Sequence, residues 1–134
     1  MLELDPILLT GVDDIDRQHR EIFERVGALL DATRSRRSRE EVIRTLEYLG
    51  SYAVDHFAAE EREMARTEYP KAEGHRLEHR QFVKELEVLR NELASEGPTA
   101  LFVIRLGNRV TEWLREHIYR TDRLLGEWLR AHPG

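Results

Sequence analysis

Two segments, His56-Phe57-Ala58-Ala59-Glu60 and His75-Arg76-Leu77-Glu78-His79, each carry a pair of side chains that can bind a metal ion. Within each pair the residues are spaced i, i+4, which places both side chains about 40° apart on one face of a helix. The second segment follows the first after about five helical turns. The spacing therefore predicts two helical faces that each present a pair of metal ligands.

Three more residues extend this set, namely His19 upstream and His117 and Asp122 downstream. The histidines share their helical stripes with Leu, Phe and Met, so folding would bury them together, and a buried imidazole or carboxylate is costly unless it is paired or ligated. Five imidazoles with two carboxylates suit a divalent transition metal better than magnesium or calcium. Seven ligands exceed the needs of one ion, so we predict two ions that share bridging carboxylates.

Each piece of this pattern has a simpler interpretation when it is taken alone. A single histidine such as His19 could be an ordinary core or surface residue, and His56 with Glu60 could form an ordinary i, i+4 helix contact. The pair His75 and His79 points more strongly to a metal, because two charged imidazoles on one face would repel each other. Five of the six histidines lie at inward positions, which favours the metal site.

The spacing of the last two candidate ligands is awkward. His117 and Asp122 are five residues apart, about 140° around an ideal helix. Asp122 must therefore reach in from a flank, or the helix must be locally wider than an α-helix. His132 is left out of the set, because a favourable interaction with the dipole at the end of the last helix is enough to explain it.

The composition limits the classes of function. A chain of 134 residues is long enough for one domain that buries about two thirds of its unfolded surface. Its 35% charged and 40% hydrophobic residues suit amphipathic helices, and 4 prolines and 8 glycines are too few for a loop-rich β fold. The net charge of −5 argues against nucleic acid as a partner. The lack of cysteine excludes disulfides, thiolate catalysis and sulfur-ligated metals.

The N-terminal segment Met1-Leu2-Glu3-Leu4-Asp5 has acids where a secretory signal would have a basic region. No apolar run approaches the 18 or so residues that are needed to span a bilayer. We therefore expect a cytoplasmic protein that does not insert into membranes.

The apolar periodicity predicts an all-α fold, an antiparallel up-down-up-down bundle of four helices of about 25 residues each, with an irregular arm over residues 1–11. Thr10 or Asp13 is the expected cap of the first helix. In the last helix, Leu124 is among the residues expected to face inward. The expected helices run over about Val12–Arg36, Ser38–Thr67, Lys71–Ala94 and Thr99–Ala131.

Three breaks separate the expected helices. Ser38 followed by Glu41 forms a capping box, which predicts the start of the second helix. Tyr69-Pro70 marks the next turn. In the linker Ser95-Glu96-Gly97-Pro98, glycine is expected to end one helix and proline to open the next.

With these residues the chain resembles the hemerythrin family, and within it the single-domain bacterial members. The family pattern of one histidine followed by HxxxE, HxxxH and HxxxxD is present in full and in order. The resemblance covers nearly the whole chain and implies one hemerythrin-like domain over residues 1–134. The matching segments are Gly11-Val12-Asp13-Asp14-Ile15-Asp16-Arg17-Gln18-His19, His56-Phe57 through Glu60-Glu61 and Met64, Tyr69-Pro70, His75 with His79 and Phe82, and His117-Ile118 through Asp122.

The resemblance implies two non-haem iron ions, joined by an oxo or hydroxo group, that bind dioxygen reversibly. It also implies that Asp122 is a ligand in spite of its spacing. The implied ligands are Glu60 and Asp122 as bridges, His75, His79 and His117 on one iron, and His19 and His56 on the other iron, which keeps a position open for dioxygen.

One departure from the family concerns the arm, where bacterial members often carry a tryptophan and this chain has Leu2 and Leu4. The departure affects the expected packing of the arm and access to the pocket, but not the ligands. Helical spacing from the ligands places four apolar residues as candidate walls of an oxygen pocket, namely Phe23, Val83, Leu114 and Ile118.

Charge counting favours reversible binding. Two ferrous ions bring four positive charges, and two carboxylates with one hydroxide remove three, whereas a site with four carboxylates would better support highly oxidised iron. We therefore expect a monomeric carrier or store of oxygen that delivers it to an oxygen-consuming partner protein, and at most a weak peroxidase-type activity. The alternatives are an oxygen or redox sensor, a di-iron peroxidase or nitric-oxide-handling protein, and a metal-free bundle that retains the pattern.

Overall fold

A computed structural model describes residues 6–34 and 39–133 of the chain. Within these ranges the chain forms helices and turns and contains no strand. The described elements are a 3-10 turn Pro6–Leu8, α1 Asp13–Arg34, α2 Arg39–Arg66, α3 Ala72–Glu96, α4 Ala100–His117, a π-helical turn Ile118–Asp122 and α5 Arg123–Ala131.

The helices close into a ring in which each helix packs against its sequence neighbours and α1 also packs against α4. The turns after α2 and α3 are too short to carry the chain across the bundle, so consecutive helices run antiparallel. The predicted up-down-up-down four-helix bundle is therefore confirmed. None of the described helices is both long and apolar enough to cross a lipid bilayer.

The fourth helix of the bundle consists of α4, the π-helical turn and α5, which follow one another without leaving helical geometry. The backbone N–H of Arg123 donates to the carbonyl of Ile118, five residues earlier. This wider turn inserts one extra residue and shifts the inward face of α5 by one position. The prediction for Leu124 is consequently wrong, since Leu124 is 41% exposed and Leu125 takes the buried position instead.

The helix ends confirm most of the predicted breaks. Gly97 has φ +79° and its N–H donates to the carbonyl of Leu93 at 2.9 Å, so glycine does end α3. Thr99 then caps α4 by accepting a hydrogen bond from the N–H of Phe102 at 3.1 Å. Pro98 therefore precedes the cap and does not open the helix. The predicted capping box at Ser38, and the part of the arm before Pro6, lie outside the described residues.

The start of α1 differs from the prediction. Thr10 lies ahead of the helix, where its hydroxyl accepts a hydrogen bond from the N–H of Val12, and Asp13 is already the first helical residue. The buried carboxylate of Asp16 instead accepts hydrogen bonds from the N–H and hydroxyl of Thr10, both at 2.8 Å, and from the N–H of Gly11 at 3.2 Å. These bonds fasten the described end of the arm to α1.

Two apolar clusters fill the bundle, and the polar residues form a layer between them. On α1, for example, Ile15 belongs to the smaller cluster and Ile22 to the larger one, with His19 between them. On α2, Phe57 and Met64 flank Glu60 in the same way. The layer therefore lies inside the bundle and is shielded from water by apolar side chains above and below.

Candidate metal centre

All seven predicted ligands are buried and meet in this layer. None of them exposes more than 3% of its surface. Their ligand atoms form two groups, and within each group the atoms lie within 4.8 Å of one another. The first group contains Glu60, His75, His79, His117 and Asp122, and the second contains His19, His56, Glu60 and Asp122.

The carboxylate of Glu60 takes part in both groups, one oxygen in each. Its Oε1 lies 3.2 Å from Nε2 of His75 and 3.0 Å from Nε2 of His79. Its Oε2 lies 3.2 Å from Nε2 of His56, on the other side. Each oxygen therefore faces a different set of imidazoles, as a bridging carboxylate requires.

Asp122 divides its oxygens in the same manner. Its Oδ1 lies 3.0 Å from Nε2 of His75 and 3.1 Å from Nε2 of His117. Its Oδ2 lies 3.0 Å from Nε2 of His19. The π-helical turn makes this possible, because the wider turn brings Asp122 to the same inward side as His117. One group thus offers three imidazoles and two carboxylate oxygens, and the other offers two imidazoles and two oxygens.

Several atoms of the cluster are buried without a hydrogen-bond partner. Such atoms show whether the residues fit a metal ion, because a bound cation would satisfy them. They include Nε2 of His19, His56 and His117, and both oxygens of Asp122. Leaving such an atom unsatisfied costs about 1–3 kcal/mol. These atoms are close together but are not aimed at one another as donor and acceptor. A cation in each of the two groups would satisfy these atoms, so the donor set fits metal ions.

A second layer of side chains holds three of the imidazoles from outside through Nδ1. Because a carboxylate can only accept, Nδ1 of His79 and of His117 must donate to Glu61 and Glu78. In the neutral, metal-binding form of these imidazoles, Nε2 then turns its lone pair toward the cluster. The structure pairs Nδ1 of His56 with Oε1 of Gln18, Nδ1 of His79 with Oε2 of Glu61 at 3.0 Å, and Nδ1 of His117 with Oε1 of Glu78 at 2.8 Å.

Sequence reasoning expected acceptors of this kind but did not identify them. Glu78 is itself held by the hydroxyl of Thr121, which donates to its carboxylate at 2.8 Å. The hydrogen bond from His117 is the main reason why the pKa of Glu78 lies below its ordinary value. Among the described residues, Nδ1 of His19 and of His75 has no such partner.

The carboxylates and imidazoles of the cluster shift one another's pKa values strongly. Burial alone would lower the pKa of His75, but its contacts with Asp122 and Glu60 outweigh burial and raise it to about 9. Burial would also lower the pKa of His117, but Asp122, together with Glu78 and Glu60, outweighs burial and raises it to about 10. Burial opposes ionisation of Glu60 and Asp122, yet the neighbouring histidines hold both pKa values well below the ordinary range. Both carboxylates are therefore ionised and suited to a cation.

Aromatic rings cover two of the imidazoles. Phe57 stacks on His79 with the ring centres 3.9 Å apart, and Trp113 stacks on His117 at 4.5 Å. Sequence reasoning missed these contacts, although Trp113 lies one helical turn before His117. The four predicted pocket walls belong to the larger apolar cluster, where Phe23, Leu114 and Ile118 are buried and Val83 is partly buried.

Comparison with known proteins agrees with this geometry. Residues 10–129 match the family described as the hemerythrin HHE cation binding domain. A bacteriohemerythrin of Methylococcus capsulatus is 34% identical over 123 residues, 91% of each chain, and one of Clostridium acetobutylicum is 28% identical over 84% of this chain and 89% of its own length. A crystal structure of wild-type hemerythrin superposes with a TM-score of 0.77 at 30% identity and covers 90% of both chains. The chain therefore belongs to the hemerythrin family.

Proposed function

We propose that the chain binds dioxygen reversibly at two non-haem iron ions and serves in oxygen carriage, storage or delivery, not as an enzyme. The observation that carries this proposal is the unequal division of the donors. The group around His117 offers five protein donors, whereas the group around His19 and His56 offers four. An octahedral ion in the second group would therefore have one more vacant coordination position than an ion in the first group. We assign dioxygen to that additional position.

Two carboxylates of the cluster and two side chains outside it have definite parts in this proposal. Glu60 and Asp122 would hold both ions at once, since each turns its two oxygens to different imidazoles. Gln18 and Glu78 would fix the rotation of the rings to which they bind. When bound, a pair of ferrous ions would supply two electrons to dioxygen and recover them on its release.

The apolar surroundings support reversibility. Phe23 and Ile118 expose none of their surface, and Leu114 exposes 2%. They would keep water away from the metal centre, and Phe57 and Trp113 would cover His79 and His117 of the five-donor group. Exclusion of water limits side reactions of bound oxygen, so this dry environment favours its release unchanged.

We also propose that the chain acts as one domain and as a monomer, with an oxygen-consuming protein as its partner. The family match over residues 10–129 supports a single domain. The ring of helices encloses the cluster without a second chain, because α1 packs against both α2 and α4.

An optical titration of the reduced, iron-loaded protein tests the function. Oxygen is added to the anaerobic protein and then removed by purging with argon. We expect an absorption band that appears with oxygen and disappears on purging. His56→Ala should abolish the band, whereas His132→Ala should retain it, because His132 lies outside the cluster and bonds to the carbonyl of Trp128. Oxidation that purging cannot reverse would reject carriage and favour a sensor or a peroxidase.

A further inference from the structure

A cleft of about 490 Å³ opens beside the metal centre, between the first turns of α1, the last turns of α2 and the end of α5. Its volume is in the range of small-molecule sites, about 300–1,000 Å³. Its lining contains more arginines than acids, since only Asp14, Glu60 and Glu63 carry a carboxylate, although the net charge of the protein is −5. Four arginines line the cleft, namely Arg17, Arg62, Arg66 and Arg130.

Two of the arginines are only partly neutralised by acids of their own helix. Arg17 lies 3.6 Å from Asp14, but these side chains are 62% and 85% exposed, so the pair is weak. Arg66 uses its Nε to bind Glu63, which leaves its two terminal nitrogens as donors. Both guanidinium groups can therefore still donate to a ligand.

The other two arginines have no acidic partner among the described residues. No carboxylate in that part of the chain lies within 4.0 Å of Arg62 or Arg130. Arg130 is nevertheless held in place, because its Nε donates to the carbonyl of Gly126 at 3.3 Å. Its guanidinium also lies over Gly11, where an added Cβ would come within 2.9 Å of Nη1. The backbone thus positions a cation whose terminal nitrogens face no acid among residues 6–34 and 39–133.

The floor of the cleft leads to the metal centre through Gln18 and Glu60. Oε1 of Gln18 accepts a hydrogen bond from Nδ1 of His56, which leaves the amide nitrogen of Gln18 as a donor. His56 belongs to the metal position that has one donor fewer. The side chain of Glu60 exposes none of its surface, so its carboxylate faces the imidazoles, and in the loaded protein metal ions would balance its charge.

We propose that this cleft binds a small oxyanion with two charges, such as a dicarboxylate or a phosphate monoester, and that Gln18 transmits its presence to His56. Arginine binds both groups well, because its planar fork of donors matches two oxygens at once. An anion that accepts a hydrogen bond from Gln18 changes how strongly Gln18 holds the His56 ring. The binding part is independent of the proposed function, whereas the coupling part rests on it.

Calorimetry on the metal-free protein tests the binding part, with succinate and glycerol phosphate as probes at constant ionic strength. We expect at least one probe to bind, and the stronger probe identifies the carboxylate or phosphate source. Arg62→Gln and Arg130→Gln should each weaken binding about tenfold. The control Arg109→Gln removes the same charge from the α3–α4 face, where Arg109 pairs with Glu85, and should bind as the wild type does.

Three results would overturn the binding part: neither probe binds, the two cleft variants bind as the wild type does, or Arg109→Gln weakens binding equally. The fold of each variant is checked by circular dichroism. For the coupling part, the probe should shift the visible spectrum of the iron-loaded protein. Gln18→Leu should remove this shift while the probe still binds. A shift that survives in Gln18→Leu contradicts the coupling, because it indicates direct binding of the probe to iron. In Arg62→Gln the shift should need about ten times more probe, and a shift at the wild-type probe concentration also indicates direct binding to iron.

Discussion

Replacing Gly126 by alanine should destabilise the protein, although alanine is the better helix former. Gly126 is buried in α5, one turn after the candidate ligand Asp122, where the arm packs against it. A Cβ at this position would lie 2.4 Å from the carbonyl oxygen of Thr10 and 2.9 Å from its Cβ. Real Cβ contacts below 3.0 Å essentially never occur, so the arm or α5 has to move by roughly 1 Å.

The arm cannot move freely, because Thr10 and Gly11 are bonded to the buried carboxylate of Asp16. Overpacking of this kind costs about 1–3 kcal/mol, and the higher helix propensity of alanine returns up to about 1 kcal/mol. We therefore expect a net loss of about 1–2 kcal/mol and a fall in Tm of about 3–10 °C.

Gly74 provides a matched control within the same fold. It lies in α3, and no atom is within 4 Å of an added Cβ. Gly74→Ala should therefore stabilise the protein by about 0.5–1 kcal/mol. Thermal and urea unfolding of both metal-free variants, followed by circular dichroism, measure the difference. If Gly126→Ala proved as stable as Gly74→Ala, the arm would not pack on α5 as described.

The remaining predictions concern the second layer, the register of α5 and the charges. Glu78→Gln should weaken metal binding about 10–100-fold, measured by competition with a chelator. Leu125→Ala should lower the free energy of unfolding by about 2–5 kcal/mol, whereas Leu124→Ala should change it by about 0.5 kcal/mol or less; equal effects in urea unfolding would contradict the shifted register. In the metal-free protein, the raised pKa values of His75 and His117, about 9 and about 10, mean that their bound protons contribute stability in full below the ordinary histidine pKa. That contribution disappears as the pH rises through these values, so urea should unfold the metal-free protein more easily at pH 10 than at pH 6.

The bundle and the clustering of the candidate ligands were predictable because both depend on local periodicity. A buried stripe recurs every three or four residues, and the same rule places His56 with Glu60 and His75 with His79 on one face. Burial of these four residues follows directly from their position among apolar neighbours. Such relations need no knowledge of how the helices pack.

The register of the last helix was harder to predict from the sequence. Ideal helical spacing places Leu124 inward and Asp122 on a flank, and both inferences fail because the turn Ile118–Asp122 is π-helical. The spacing of His117 and Asp122 does indicate a wider turn, but it does not by itself show which residues after the turn face inward. One inserted residue changes every later position on the helix, so the error extends to the whole of α5.

The outer partners of the imidazoles depend on helix rotation, which the sequence does not reveal. Gln18, Glu61 and Glu78 each bond to a histidine on a different helix. Each one nevertheless stands next to a predicted ligand in the sequence, beside His19, Glu60 and His79 respectively. Adjacency to a ligand was therefore an available signal for choosing among the 26 acids and the glutamines.

The iron content of the anaerobically loaded and desalted protein tests the central claim most directly. Glu60 and Asp122 each turn one oxygen to either side, and the imidazoles divide three to two around them. We expect two iron ions per chain in the wild type and a loss of iron in Asp122→Ala. One iron ion per chain, or two that persist in Asp122→Ala, would contradict a bridged pair of metal ions in this layer.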